Sequence, residues 1–402
     1  MSQGEARIGR VTKKAEVLII GGGFGGVYAA RTLLKKGFKV TLVSKTNFFI
    51  FTPLLHEVAT GSLNANDVTF EYSDFFHNKN FTFFRETIVG TNFNECLVRT
   101  SDGEYLSYEY LIVSTGAKTN FFGVKGSEHV LQLKTIEDAL LLKRTIVSLA
   151  QGIERDIIVN VVGGGPTGIE LVFELEEFLR AIKKRSPSLK YKVRLIHAGT
   201  SLCTTYPESI QTYAYNEMKR EGIDLRLETA VTEITSDGVL TSRGEYLGGD
   251  ITVWTAGVTA ETDLVPESFR DERGNIIVGN TLKIEGREKE FAIGDCIIQG
   301  TNVLPKLAQT ATKQGVVVAK NIYADAHNRS LVTYEPRVRG MLLSLGKGRG
   351  SGSLFGIVFK GFIGWIIWRN AYLSKIPGFR NKLDVFFTWM LSFFSSRDLF
   401  ER

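Results

Sequence analysis

Two stretches of the chain run through the same kinds of position in the same order: an unbroken apolar run, a cluster of glycines, a helical repeat of apolar residues and a second apolar run. The first begins with "EVLII" at 16–20 and resumes with "VTLV" at 40–43. The second begins with "DIIVNVV" at 156–162, turns into a helix from about Ile169 and resumes with "KVRLIHA" at 192–198. Unbroken apolar runs of this length mark strands covered on both faces, as in a parallel sheet flanked by helices. The pattern therefore predicts an α/β chain in which a strand-turn-helix-strand unit occurs twice.

The glycines of each turn fall as G-x-G-x-x-G: Gly21, Gly23 and Gly26 in the first, Gly163, Gly165 and Gly168 in the second. One glycine permits the tight turn, one lets a pyrophosphate approach the backbone, and one lets the helix pack close on the strand. The helix N-terminus then offers unpaired N–H groups and its positive dipole end to phosphate. One such turn is a weak signal, but two in matching context predict two Rossmann-like dinucleotide sites. The strand after each turn usually ends in a carboxylate that binds ribose hydroxyls. Here the first ends in Ser44 and Lys45, and the second in His197 and Ala198. Without a charge to repel a 2′-phosphate, His197 leaves the choice between NADH and NADPH open.

At 402 residues the chain exceeds what one hydrophobic core usually holds, so several domains are expected. Cys96, Cys203 and Cys296 have no metal-ligand or C-x-x-C spacing, so neither a metal site nor a redox disulfide is expected. The first residues show no apolar core of a secretory signal, so the first nucleotide domain is expected to fold in the cytoplasm. Residues 336–402 carry 11 Lys/Arg against 3 Asp/Glu, more than the net +6 of the whole chain, so basic character belongs to the tail. Within it, 354–373 is apolar but broken by Lys360, Arg369 and Asn370, too short a run to span a bilayer. From Lys382 onward, Asp384, Thr388, Ser392, Ser395 and Ser396 draw a polar stripe down one helix face. Phe386, Phe387, Trp389, Met390, Phe393 and Phe394 fall away from it, as in a helix lying in the head-group plane. Aromatic interleaving of this kind excludes a nucleic-acid arm; a core or dimer-interface helix is the alternative.

Further segments make the pattern specific. "YLIVSTGA" (110–117) and "EFAIGDC" (290–296) resemble the later flavin motifs of the two-dinucleotide-binding flavoprotein oxidoreductases, and "VWTAG" (253–257) resembles the strand closing their NAD domain. Within that superfamily, "NFFIFTPLLHEVATG" (47–61), "GGGPTGIEL" (163–171), "AQTATKQG" (308–315) and the ending "FFSSRDLFER" are most similar to type II NADH:quinone oxidoreductases, the non-proton-pumping NADH dehydrogenases.

The resemblance implies a discontinuous FAD domain, 1–123 and 268–335, an NAD(P)H domain, 124–267, and a membrane-anchoring segment, 336–402. It implies that FAD is held non-covalently by Gly21, Gly23, Phe24, Gly25, Gly26, Ser44 and Lys45, then Thr52, Pro53, Ile88, Thr115 and Gly116, and finally Gly294, Asp295, Ala308 and Gln309. NAD(P)H falls to Gly163, Gly165, Pro166, Thr167, Gly168, Glu170, His197, Ala256 and Gly257. Glu170 would lie near nicotinamide and quinone, and Gln309 would contact the quinone head group. The family's A-Q-x-A-x-Q-x-G segment has Lys313 at its second Gln, where an ammonium could stabilise a reduced quinone or snorkel outward. A homodimer bound peripherally to the cytoplasmic side of the cell membrane is also implied. Competing expectations are a sulfide:quinone oxidoreductase, a soluble ferredoxin or rubredoxin reductase, and a non-catalytic flavoprotein that senses NAD(P)H.

Overall fold

The computed structural model describes residues 11–152, 156–300, 306–338 and 340–391. These fall into two compact units, one within the ranges 1–49, 70–118 and 258–338, the other within 50–69, 119–257 and 339–402.

In the first unit, strand Val11–Ile20 lies between Val40–Ser44 and Tyr105–Val113 and is parallel to both. Phe81–Arg85 extends the sheet beyond Val40–Ser44, and Glu290–Ala292 pairs in parallel with Tyr105–Val113. Val17, Leu18 and Ile19 have no exposed surface, which is why the run is apolar at every position rather than at alternate ones. Ile20 is in register with both Val43 and Val113. The glycine turn thus leaves from the middle of the sheet at its carboxyl edge, where open α/β sheets take their ligands. Helix Phe24–Lys35 packs on helix Ala308–Ala326 so closely that a Cβ on Gly315 would stand 2.4 Å from the Gly25 carbonyl oxygen.

The second unit repeats the arrangement. Strands Asp224–Arg226, Tyr191–Ile196, Ile157–Val162 and Ile251–Trp254 form a parallel sheet in that order, with Val162 in register with Ile196 and Trp254. The helix after its turn, Pro166–Arg185, starts three residues before the expected Ile169, because Pro166 at the first helical position has φ preset and no N–H to leave unpaired. The tail contributes the antiparallel strands Gly340–Ser344, Gly350–Leu354 and Ile357–Lys360, then helices Gly361–Lys375 and Phe379–Leu391. Among the described residues no helix is long and apolar enough to cross a membrane.

Residues 50–69 and the described tail residues 340–391 cluster with the second unit. The last helix departs from its sequence pattern at Trp389. Its buried side is Val385 and Trp389, one turn apart, while Leu383, Phe386, Phe387 and Met390 are exposed. Trp365 and Trp368 of the preceding helix are buried too. The expected positions Ser392, Phe393, Phe394, Ser395 and Ser396 lie outside the described residues.

Candidate active site

The two glycine turns match atom for atom in what they permit. Gly21 and Gly163 have φ of +99° and +120°, a region that side chains avoid. A Cβ there would come within 2.4 Å of the Ser114 carbonyl oxygen and 2.6 Å of Ala256. A Cβ on Gly26 or Gly168 would lie 2.1 or 1.9 Å from the carbonyl oxygen of Gly21 or Gly163, so the third glycine lets the helix sit against the turn. By contrast, a Cβ on Gly23 or Gly165 would have nothing within 4 Å. That open ground at the helix start is where a side chain would displace a pyrophosphate, so both loops fit a dinucleotide. The turns are also tied to their sheets alike: Ser114 Oγ donates to the Ile20 and Gly21 carbonyls, and Thr255 Oγ1 to those of Val162 and Gly163.

Around the first turn, the Tyr72 hydroxyl donates to the Gly22 carbonyl at 2.9 Å, a contact no sequence motif announces. Lys45 pairs with Glu261, and Thr115 Oγ1 donates to the Glu261 carbonyl. Phe24 and Gly25 open the helix, Gly25 buried and Phe24 with its ring edge-on to Phe49, while Ile88 is buried at the head of its own strand. Gly116 has φ +78°, and its carbonyl accepts the Glu261 N–H. Asp295 follows Gly294, whose N–H is accepted by Gln314 Oε1 at 2.7 Å. Gln314 is fully buried, and its Nε2 has no protein acceptor among the described residues. A buried donor left unmet costs about 1–3 kcal/mol, so an acceptor-rich ring such as a flavin fits beside it. Ala308 and Gln309 begin the helix that carries Gln314, and Lys313 Nζ donates to the Arg337 carbonyl. Thr52 and Pro53 lie in the short turn Thr52–Leu54, which belongs to the second unit.

In the second unit, Pro166 and Thr167 form the helix start, and Ala256 and Gly257 follow the closing strand. Glu170 lies one turn into the helix and is buried among His56, Glu57 and Glu174. Its Oε1 accepts the Ser344 N–H at 3.0 Å and the Trp368 indole N–H at 3.1 Å, and its Oε2 lies 3.7 Å from His56 Nδ1. Burial pushes its pKa up to about 8 despite those two donors, with Glu57 and Glu174 adding to the rise. Trp389 donates to Glu57 at 2.7 Å, and Thr60 and Ser62 donate to Glu174. The helical position of Glu170 is legible in the sequence; the neighbouring Glu174 and the tryptophan donors from the tail are not among the sequence candidates.

A sulfur relay calls for reactive thiolates. Burial pushes the Cys296 thiol up to about 11 and the Cys203 thiol up to about 12, and it raises the Cys96 thiol as well. Burial thus disfavours the thiolate at all three positions. Among the described residues no His, Cys, Asp or Glu cluster is arranged to hold a metal ion.

Two glycine-loop units of this construction define a two-dinucleotide flavoprotein reductase. Residues 15–315 match the pyridine nucleotide-disulphide oxidoreductase family, and the chain belongs to it. Within that family the chain is a member of the type II NADH:quinone oxidoreductases. It is 30% identical to the type II NADH:quinone oxidoreductase of Haemophilus influenzae, over 84% of this chain and 86% of that one. It is 27% identical to a probable NADH dehydrogenase of Dictyostelium discoideum, over 97% and 92%. The fold is that of Plasmodium falciparum NDH2 solved with NADH, with a TM-score of 0.87 at 18% identity over 96% of this chain and all of that one. The sulfide:quinone oxidoreductase of Aquifex aeolicus shares the fold at a TM-score of 0.75 and 20% identity, over 89% of this chain and 90% of that one.

Proposed function

We propose that the chain transfers hydride from NADH to FAD and two electrons onward to a membrane quinone, without pumping protons. The observation that carries this reading is the pair of glycine turns built to one plan in separate units of a type II NADH:quinone oxidoreductase. FAD, when bound, supplies the ring that accepts hydride and passes on electrons. The chain supplies orientation and shelter from water. The first turn, with Ser44 and Lys45 beyond it, holds the pyrophosphate and ribose of FAD, while Asp295 and the Gln314 amide serve the flavin end. The second turn holds NADH, with Ala256 and Gly257 beside it. Gln309 meets the quinone head group.

Glu170 handles protons. Its Oε1 already accepts two N–H donors, so the proton that burial keeps on the group below pH 8 sits on Oε2. Quinone reduction consumes two protons, and a carboxyl that is protonated at neutral pH is poised to give one up. Peripheral attachment to the cytoplasmic face of the membrane, as a homodimer, falls to the exposed apolar side chains of the tail, flanked by Lys360, Lys375 and Lys382. Anaerobic titration tests the reading: NADH should bleach the flavin absorbance of the purified protein, and a water-soluble quinone should restore it. A flavin that neither NADH nor NADPH bleaches would refute it.

A further inference from the structure

The imidazole of His197 is engaged at both ends by backbone groups. Its Nδ1 accepts the Gly164 N–H at 3.2 Å, and its Nε2 lies 3.1 Å from the Ser201 carbonyl oxygen. A carbonyl can only accept, so the ring must donate from Nε2 and keep its lone pair on Nδ1. One neutral tautomer meets both demands. The next peptide unit is held as well, because the Gly164 carbonyl accepts the Cys203 N–H at 2.9 Å. A Cβ on Gly164 would stand 2.7 Å from both the ring and Leu202, so the imidazole packs against a backbone that only glycine can offer here. The His197 backbone is itself fixed, its N–H donating to Arg226 and its carbonyl accepting from Thr229.

We propose that His197 is a positioning residue, which holds the Gly164 peptide of the second glycine turn in its ligand-receiving orientation and does not read the nucleotide ribose. The inference rests on the second turn being the nicotinamide nucleotide site. A turn whose peptides are set before the ligand arrives loses less conformational freedom on binding, and that saving appears as affinity. A carboxylate at this position would accept ribose hydroxyls and repel a 2′-phosphate. A neutral ring with both nitrogens engaged by the backbone does neither, so its identity leaves the choice between NADH and NADPH unaltered.

Two substitutions separate the roles. His197→Asn places an amide oxygen near the position of Nδ1 and keeps an acceptor for the Gly164 N–H; His197→Leu fills similar space without one. Losing that acceptor should raise KM for NADH roughly tenfold in His197→Leu, with the limiting rate of flavin bleaching unchanged. His197→Asn should recover KM to within about threefold of the wild type. The ratio of KM for NADH to KM for NADPH should be the same in all three proteins. Equal damage from both substitutions would overturn the positioning role, and a ratio altered several-fold would show that the ring reads the ribose. Should a variant lose its fold, the ring nitrogen NMR signals of the wild type decide: a proton on Nδ1 would overturn the proposal. Failure of wild-type bleaching by either nucleotide would instead refute the functional reading beneath it.

Discussion

A carboxyl group removed from water is harder to ionise than one left in it, and Glu170 carries that penalty inside the second unit. Folding therefore raises its pKa from the ordinary 4.5 to about 8. Between those values the folded chain holds a proton that the unfolded chain has lost, so the contribution of this group to stability is fully present below about pH 4.5 and fades as pH rises through 8. Glu170→Gln keeps an oxygen to accept the Ser344 and Trp368 N–H groups but cannot ionise. Melting temperatures measured from pH 5 to pH 8 should fall more steeply for the wild type than for the variant; parallel curves would mean that Glu170 does not titrate in that window. Substitution should also slow quinone-dependent reoxidation of the flavin more than its bleaching by NADH, because hydride transfer itself needs no proton from the protein whereas quinone reduction takes up two. Stopped-flow traces of the two half-reactions measure this, with a loss of about ten- to a hundredfold expected in the first.

The glycine turns were legible from sequence because their chemistry is local. Spacing alone fixes which residue has positive φ, which faces open ground and which meets the preceding carbonyl, and the structure places Gly21, Gly23 and Gly26 in those three positions and Gly163, Gly165 and Gly168 likewise. The third position of each turn allows a paired test. Gly26→Ala would push a methyl group into the Gly21 carbonyl and should yield protein purified with little or no flavin. Gly168→Ala, which drives its methyl group into the Gly163 carbonyl, should retain full flavin absorbance yet show KM for NADH raised at least tenfold. Absorbance at purification followed by NADH titration separates the two, and loss of flavin from Gly168→Ala would contradict the assignment of the loops. The partners of Gly22 and Gly164 could not be read this way, since Tyr72 and His197 reach them only once strands distant in sequence have paired. In the last helix Trp389 departs from the periodic reading for a related reason, while Phe386, Phe387 and Met390 are exposed as that reading has them. A helix with apolar residues on more than one side does not say which side meets protein. Here Trp368 and Trp389 turn inward to donate to Glu170 and Glu57, and the Arg369 guanidinium lies 4.1 Å from the Trp365 ring centroid and 4.6 Å from that of Trp389.

At the scale of the second unit, the inward turn of those tryptophans changes which apolar residues the proposed membrane contact can use. The exposed apolar side chains of the second unit include Phe355 at 82%, Ile357 and Ile363 at 66% and Phe387 at 56%, contributed by a hairpin turn, the strand after it and two helices. Soluble surfaces tolerate isolated apolar residues, but so many large ones in a single C-terminal segment mark an interaction surface. The same segment holds the surplus of positive charge, while the rest of the chain is slightly acidic. Attraction to anionic head groups should therefore bring the tail to the membrane, and burial of the apolar side chains should hold it there at about 25 cal/mol for each Å² removed from water. The two contributions respond differently to salt, because screening acts on the first alone. Replacing Phe355, Ile357 and Phe387 together with serine should abolish co-sedimentation with anionic vesicles in high salt but only weaken it in low salt. Bleaching of the flavin by soluble NADH should be unchanged, since none of the three touches a glycine turn. Vesicle binding by the triple variant that matched the wild type at both salt concentrations would remove these side chains from the membrane contact.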